Sequence, residues 1–291
     1  PADFGFQFQR CGWVESLPLI SAFVGADTVG VILSLDLEHE RASSLSIDIG
    51  TNGEMVLARD GELVTTSTAA GPAFEGAQIA CGMRALEGAI TGVDISGGGE
   101  VTVQVVGGGR PRGICGSGLI SGVAALLEAG VLDPSGRLLA AEELGSPALR
   151  SRLFRRENLL AFRLNDGEGP EVYISQKDIR ELQLAKGATR TGIDMLLDET
   201  GIEARALSRI RLAGNFGSGL DIAKTIRIGL IPEVPVERVD VVGNAALRGA
   251  SLALVSREYR RRAAEVCRRS RFLELAAKPD FQSRFAASMF F

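Results

Sequence analysis

The chain has 291 residues, enough for one large domain or two ordinary ones. Apolar residues make up 45% of it and aromatics only 5%, so its core is aliphatic and disorder is excluded as a description of the whole. A net charge of −4, from 32 basic and 36 acidic residues, argues against a nucleic-acid-binding protein.

In chain order, residues 17–37 read as an apolar helix with Val24-Gly25-Ala26-Asp27-Thr28 near its start. Leu45-Ser46-Ile47-Asp48-Ile49-Gly50 is a short strand running into the turn Thr51-Asn52-Gly53. The chain returns as Glu54–Ala58, turns at Arg59-Asp60-Gly61 and leaves as Glu62–Thr66. Asn-Gly and Asp-Gly between β-rich runs are strong hairpin signals, so a three-stranded antiparallel meander is expected. A helix is expected near 74–88, a strand over Val101–Val106 between two triple-glycine runs, and a helix over Ser117–Ala129. Residues 131–170 show no clear periodicity and read as an inserted piece. Ser175 with Asp178 forms a capping box that opens a long helix ending at Gly201. Two strand–glycine–helix units follow: Ile210–Ala213 into Gly214–Gly219, and Val239–Val242 into Gly243-Asn244 and a helix to about Val255. A strand-like Phe272–Ala276 and a short helix close the chain, after an arginine-rich helical stretch (Arg257–Arg269) that reads as a solvated face.

This order gives an α/β fold, a mixed sheet with an antiparallel meander and flanking helices. Three glycine turns then follow the carboxyl ends of three strands, where open α/β sheets bind ligands. Such turns expose unpaired N–H groups, and a helix N-terminus adds partial positive charge, so together they favour phosphate. Asp48, just before Gly50-Thr51-Asn52-Gly53, is placed to hold Mg²⁺ through water while the amides and the Thr51 hydroxyl take phosphate oxygens. The single histidine, His39, lies in a polar run and reads as a surface residue, which removes Ser–His and Cys–His chemistry. Cys11, Cys81, Cys115 and Cys267 form no C-x-x-C pair, so a disulfide framework, a zinc site and an iron–sulfur cluster held by this chain alone are not expected. No apolar run reaches the roughly 18 residues of a membrane span and no signal peptide is evident, so a cytoplasmic location is expected. The start at Pro1 without an initiator Met reads as a truncation.

Asp48-Ile49-Gly50-Thr51-Asn52-Gly53-Glu54 resembles a phosphate loop of the superfamily of acetate and sugar kinases, heat-shock chaperone ATPases and actin. Leu212-Ala213-Gly214-Asn215-Phe216-Gly217-Ser218 is similar to its adenosine loop, and Val242-Gly243-Asn244-Ala245-Ala246 to its small-residue lobe-connecting helix. Gln183-Leu184-Ala185-Lys186 with Arg190 resembles the helix whose polar residues flank adenine and ribose. Longer strings narrow the match: Phe23–Thr28, Ala69–Ala77, Cys81–Ala85, Gly113–Ile120 and the ending Pro279–Phe291 look like the C-terminal part of the reductive activators of corrinoid proteins.

This resemblance implies an actin-like, ribonuclease H-like lobe with an inserted subdomain. Residues 1–44 are then a remnant of lobe I with a connecting helix, and 45–291 are lobe II, with the insertion around 90–175. It implies ATP and Mg²⁺ as ligands, with Asp48, Gly50, Thr51, Asn52 and Gly53 on phosphate and Asp48 on the metal. Gln183, Lys186, Arg190, Gly214, Asn215, Phe216 and Gly217 would contact adenosine, and Gly25, Asp27, Gly243 and Asn244 would connect the lobes. The implied partner is a corrinoid protein of a methyltransferase system, returned from Co(II) to Co(I) with an electron from a 2Fe-2S ferredoxin domain upstream of this chain. No ferredoxin-type cysteine set and no lobe-I phosphate loop are present here, so gating without hydrolytic geometry of its own is the expected role; whether the chain forms a homodimer is open. Two rivals stay open: a small-molecule kinase of the same fold, with Glu75 or Asp94 as base, and a non-catalytic interaction module.

Overall fold

The fold was obtained as a computed structural model that describes residues 14–166, 169–214 and 219–291. The first helix, α1 (Ala26–Leu35), is shorter than the expected span of 17–37. Pro18 and the Ser21 hydroxyl, which accepts from the amides of Phe23 and Val24, hold the preceding residues out of helical geometry. At the other end Asp36 takes a left-handed conformation (φ 56°) and stops the helix.

The meander forms as its turns dictate. β1 (Ser44–Ile49) pairs antiparallel with β2 (Gly53–Arg59), and β2 with β3 (Glu62–Thr68), around the Asn52-Gly53 and Asp60-Gly61 turns. The expected helix over 74–88 is absent: one helical turn at Pro72–Glu75 ends at Gly76, with φ 78°. Gly76 and Gly82 are pressed against the backbone of neighbouring residues, and the Asp178 carboxylate accepts from the Ala80 amide, so close packing overrides the local helical bias. Next come β4 (Ala89–Ile95), β5 (Val101–Val105) and β6 (Gly113–Ile114), which form a small three-stranded sheet backed by α2 (Gly116–Glu128).

The stretch without periodicity contains regular structure after all. A short α3 (Pro147–Arg150) precedes β7 (Leu153–Arg156) and β8 (Leu159–Arg163), an antiparallel pair extended by β9 (Tyr173–Ser175). Its tight turn is Glu157-Asn158, both with positive φ (49° and 66°), where glycine would have announced it. From β9 the chain enters α4 (Gln176–Thr200), opened by the reciprocal Ser175–Asp178 capping bonds and closed by left-handed Gly201.

β10 (Arg209–Ala213), α5 (Ile222–Arg227), β11 (Val239–Gly243), α6 (Ala245–Val255) and α7 (Arg257–Arg269) follow. The last elements are β12 (Ser270–Phe272) and α8 (Phe281–Ser288); the strand-like Phe272–Ala276 proves to be the end of β12 and a separate helical turn at Leu275–Ala277. The main sheet runs β11-β10-β1-β2-β3-β12, with β10 and β11 parallel to β1. Alternation along β1 sends Leu45, Ile47 and Ile49 into one core with Ile193 and Leu196 of α4. The opposite face packs Val56 and Ala58 of β2 against Val29, Ile32 and Leu33 of α1 and Val266 of α7.

α1 and α6 cross in near contact. A Cβ on Gly249 would lie 1.9 Å from the Gly30 carbonyl oxygen, and one on Gly30 would lie 2.7 Å from that of Ala246. Replacing a mid-helix glycine by alanine gains about 1 kcal/mol of helix propensity. Overpacking a close contact costs about 1–3 kcal/mol, and backbone cannot step aside as a side chain can. We expect Gly249→Ala to lower the urea midpoint with an unchanged slope; a raised midpoint would show that the crossing is loose.

Candidate functional site

β1, β10 and β11 are parallel, so their carboxyl ends emerge on one side of the sheet. Three contacts tie those ends together. The Gly214 amide donates to the Gly243 carbonyl (3.1 Å), and Gly214 and Gly243 both have positive φ (114° and 67°). A Cβ on Gly214 would lie 2.6 Å from the Ile49 carbonyl oxygen and 3.3 Å from Asp48 Oδ1. Only glycine fits there, on steric and on conformational grounds.

Asp48 stands opposite Ala213 on one side and Glu54 on the other. No hydrogen bond or ion pair engages its carboxylate among the described residues, although it is more than half buried. Burial, and then the charge of Asp27, raise its pKa above the usual carboxylate range. The turn between β1 and β2 is ordered from within: the Gly50 amide donates to Asn52 O (2.9 Å), and Thr51 O accepts from the Gly71 amide (2.8 Å). The Thr51 hydroxyl donates to Glu75 Oε1 at 2.7 Å. Gly53 is buried, and a Cβ there would come within 3.1 Å of Thr68 Oγ1.

Asp27 reaches this end of the sheet from the first turn of α1, where its Oδ1 accepts from the Thr28 amide and lies beside Gly25. Asn244 caps α6 by accepting from the Leu247 amide. Gly25, Asp27, Gly243 and Asn244 therefore sit at the starts of the two crossing helices, and the charge of Asp27 acts on Asp48. Asn215, Phe216 and Gly217 lie outside the described residues. The chain beyond them is anchored: Gly219 packs on Thr91, and Lys224 of α5 reaches the Val93 carbonyl (2.5 Å), Asp94 (2.6 Å) and the Ser121 hydroxyl (3.0 Å). Asp94 is thus spent on an ion pair and offers no free base.

Gln183, Lys186 and Arg190 lie on α4 and are not gathered at the strand ends by any contact. Gln183 Nε2 donates to the carbonyls of Ser135 (3.0 Å) and Met289 (2.9 Å), and Lys186 donates to the Phe290 carbonyl under the Phe291 ring. Burial, and secondarily the Arg190 charge, bring the Lys186 pKa down to about 8. Arg190 pairs with Asp194 (2.9 Å) and donates to the Ile231 carbonyl. Each of these polar groups is engaged by the chain itself.

The residue that motif reading passed over is Glu54. The hairpin register sets it directly across from Asp48, a like-charge pair that costs stability. Burial, then Asp27 and Asp48, push its pKa up to about 7. The charges of Asp27, Asp48 and Glu54 thus oppose one another and no described cationic side chain pairs with Asp48, a repulsion that a divalent cation held by Asp48 would relieve. The cysteines have no such setting. Cys81, Cys115 and Cys267 are free and unpaired with one another, burial pushes the Cys81 thiol up, and Cys11 is outside the described residues.

A mixed six-stranded sheet of this order, flanked by helices, defines an actin-like fold of the acetate and sugar kinase, chaperone and actin class. Residues 42–291 match the family described as the C-terminal domain of RACo, the ASKHA domain, and the chain belongs to that family. It is 36% identical over 285 residues to the corrinoid activation enzyme RamQ of Eubacterium limosum, covering 96% of this chain and 48% of that protein. It is 28% identical over 258 residues to the Co(II) methylated amine-specific corrinoid protein reductase of Methanosarcina barkeri, covering 79% and 42%. A solved structure of a reductive activator for corrinoid,iron-sulfur protein superposes with a TM-score of 0.87 at 38% identity, covering 94% of this chain and 44% of that one. The chain spans less than half the length of each of these relatives. No helix of the described residues is long and apolar enough to cross a membrane.

Glu54 supplies a pH test. Its pKa is higher folded than unfolded, so the folded state binds the extra proton between about 4.5 and about 7, and stability falls as pH rises through that window. In chelator, we expect Glu54→Gln to melt above the wild-type protein at pH values over 7 and level with it near the lower end of the window. Parallel curves across that range would show that Glu54 is ionised throughout.

Proposed function

We propose that this chain is the nucleotide-binding lobe of an ATP-dependent reductive activator that returns Co(II) corrinoid proteins to Co(I) for methyl transfer. One observation carries the reading: in a chain of this family, Gly214, itself bonded to Gly243, packs on the end of β1 beside Asp48, a partly buried carboxylate that no described residue engages. Residues 45–291 then form lobe II with the insertion around 90–175, and residues 1–44 carry the connecting helix of lobe I. The protein works in the cytoplasm.

The donor set fits the ligand. Asp48 would hold Mg²⁺ through water, with Asp27 and Glu54 adding negative charge behind it. The amides of Gly50, Asn52 and Gly53 and the Thr51 hydroxyl would take phosphate oxygens. Mg²⁺ bound there offsets the charge of the nucleotide and of the three carboxylates, and lowers the Glu54 pKa. Adenosine lies along the loop from Gly214 through Asn215, Phe216 and Gly217. Gln183, Lys186 and Arg190 of α4, the other residues expected to contact adenosine, hold the C-terminal segment and the Ile231 carbonyl.

The chain's role is gating. α1 and α6 cross at Gly30 and Gly249. The first turn of α1 carries Asp27, whose charge acts on Asp48, and α6 begins just after Gly243, which accepts from Gly214, so nucleotide bound at Asp48 and Gly214 bears on the pair that joins the lobes. Nucleotide shifts the lobe equilibrium only by binding one arrangement more tightly than the other. The electron comes from elsewhere: the dispersed thiols Cys81, Cys115 and Cys267 do not fit a 2Fe-2S cluster, and the cluster belongs to an upstream ferredoxin domain.

The experiment is thermal stability of the intact protein with and without Mg-ATP. Ligand at about a hundred times its dissociation constant stabilises by roughly 2.7 kcal/mol, a shift of a few degrees. We expect Asp48→Ala to remove the shift while the variant still unfolds cooperatively, and Gly214→Val to remove it with a lowered melting temperature. A wild-type protein whose melting ignores Mg-ATP contradicts the reading.

A further inference from the structure

α7 is out of keeping with the acidic chain around it. Over Arg257–Arg269 it carries six arginines and two glutamates, while the whole protein has net charge −4. Three of the six are used inside the fold. Arg262 donates to Glu38 and Asp36, Arg260 to the carbonyls of Ala253 and Leu254, and Arg269 to that of Gly61. The other three, Arg257, Arg261 and Arg268, are exposed and make no hydrogen bond or ion pair with any described residue.

Helical geometry aligns them. At about 100° per residue, positions 257, 261 and 268 fall within about 40° of one another. They lie on the side opposite Ala263 and Val266, which are buried against α1. With a rise of about 1.5 Å per residue, Arg257 and Arg261 are about 6 Å apart along the axis, and Arg268 lies about 16 Å from Arg257. Like charges one turn apart cost a few tenths of a kcal/mol. Other surface arginines of this chain avoid that cost by pairing, as Arg284 does with Asp280 and Asp198, and Arg209 with Asp240.

We propose that this ridge is a docking surface for an acidic face of a protein partner, namely the corrinoid protein of the function proposed above, on which this inference rests. Three arginines are too few for a nucleic-acid backbone, where tight binding neutralises about 6–10 phosphates, and the chain's net negative charge opposes a polyanion at long range. Arginine's planar fork matches carboxylates, and arginine is enriched in protein interfaces. The partner carries carboxylates spaced to meet the three guanidinium groups. α7 itself packs on α1, the helix that carries Asp27 in its first turn.

The test is a binding titration of the intact protein against the Co(II) corrinoid protein, with Mg-ATP, at low and at physiological salt. The variants are the triple change Arg257→Glu, Arg261→Glu, Arg268→Glu and its lysine counterpart. We expect charge reversal to slow association by roughly tenfold or more and to flatten its salt dependence, while the lysine variant stays within a few-fold of wild type. Thermal shift with Mg-ATP should be unchanged in both, which separates docking from folding and from nucleotide binding. A reversal variant that associates like wild type at both salts overturns the inference and leaves the function intact. A wild-type protein that binds no corrinoid protein overturns both.

Discussion

The site end of this molecule depends on one close approach. Gly214 crosses the end of β1 so tightly that a Cβ would lie 2.6 Å from the Ile49 carbonyl, and its amide is held by Gly243. That contact sets three strand ends, two helix starts and the Asp48 carboxylate in one neighbourhood. A second approach repeats it one layer out, where Gly249 and Gly30 let α1 and α6 cross backbone to backbone. Both are made by residues with no side chain, so the geometry is fixed by packing that tolerates no addition.

The charge arrangement follows from that geometry. Asp48 and Glu54 are forced opposite each other by the hairpin register, and α1 delivers Asp27 to the same place. A fold optimised for stability alone would place a lysine or a hydroxyl there. The strained charge balance is a common mark of functional sites, and it makes the empty site the less stable partner of a filled one.

Much of this was legible in the sequence. Asn-Gly and Asp-Gly gave the meander, the Ser175–Asp178 box gave the start of α4, and the glycines after β10 and β11 marked the strand ends that meet. The register even implied the Asp48–Glu54 pairing, had position 54 been counted across the hairpin from position 48. What failed did so for physical reasons. Residues 74–88 have helical composition, but Gly76 and Gly82 are spent on backbone packing that no local pattern reveals. β7 and β8 were hidden because their turn is Glu157-Asn158 in left-handed conformations rather than a glycine pair. Gln183, Lys186 and Arg190 were legible as polar residues of one helix; that the carbonyls of Met289, Phe290 and Ile231 would meet them is a long-range fact.

The central claim is that Mg-nucleotide sits where β1, β10 and β11 end. Hydrogen–deuterium exchange of the intact protein with and without Mg-ADP tests it most directly, because it reports position along with affinity. Slowed exchange is expected at the amides of the Ile49–Gly53 turn, around Gly214 and at the start of α6. Protection confined to other segments, or a protein whose exchange ignores Mg-ADP, would contradict it.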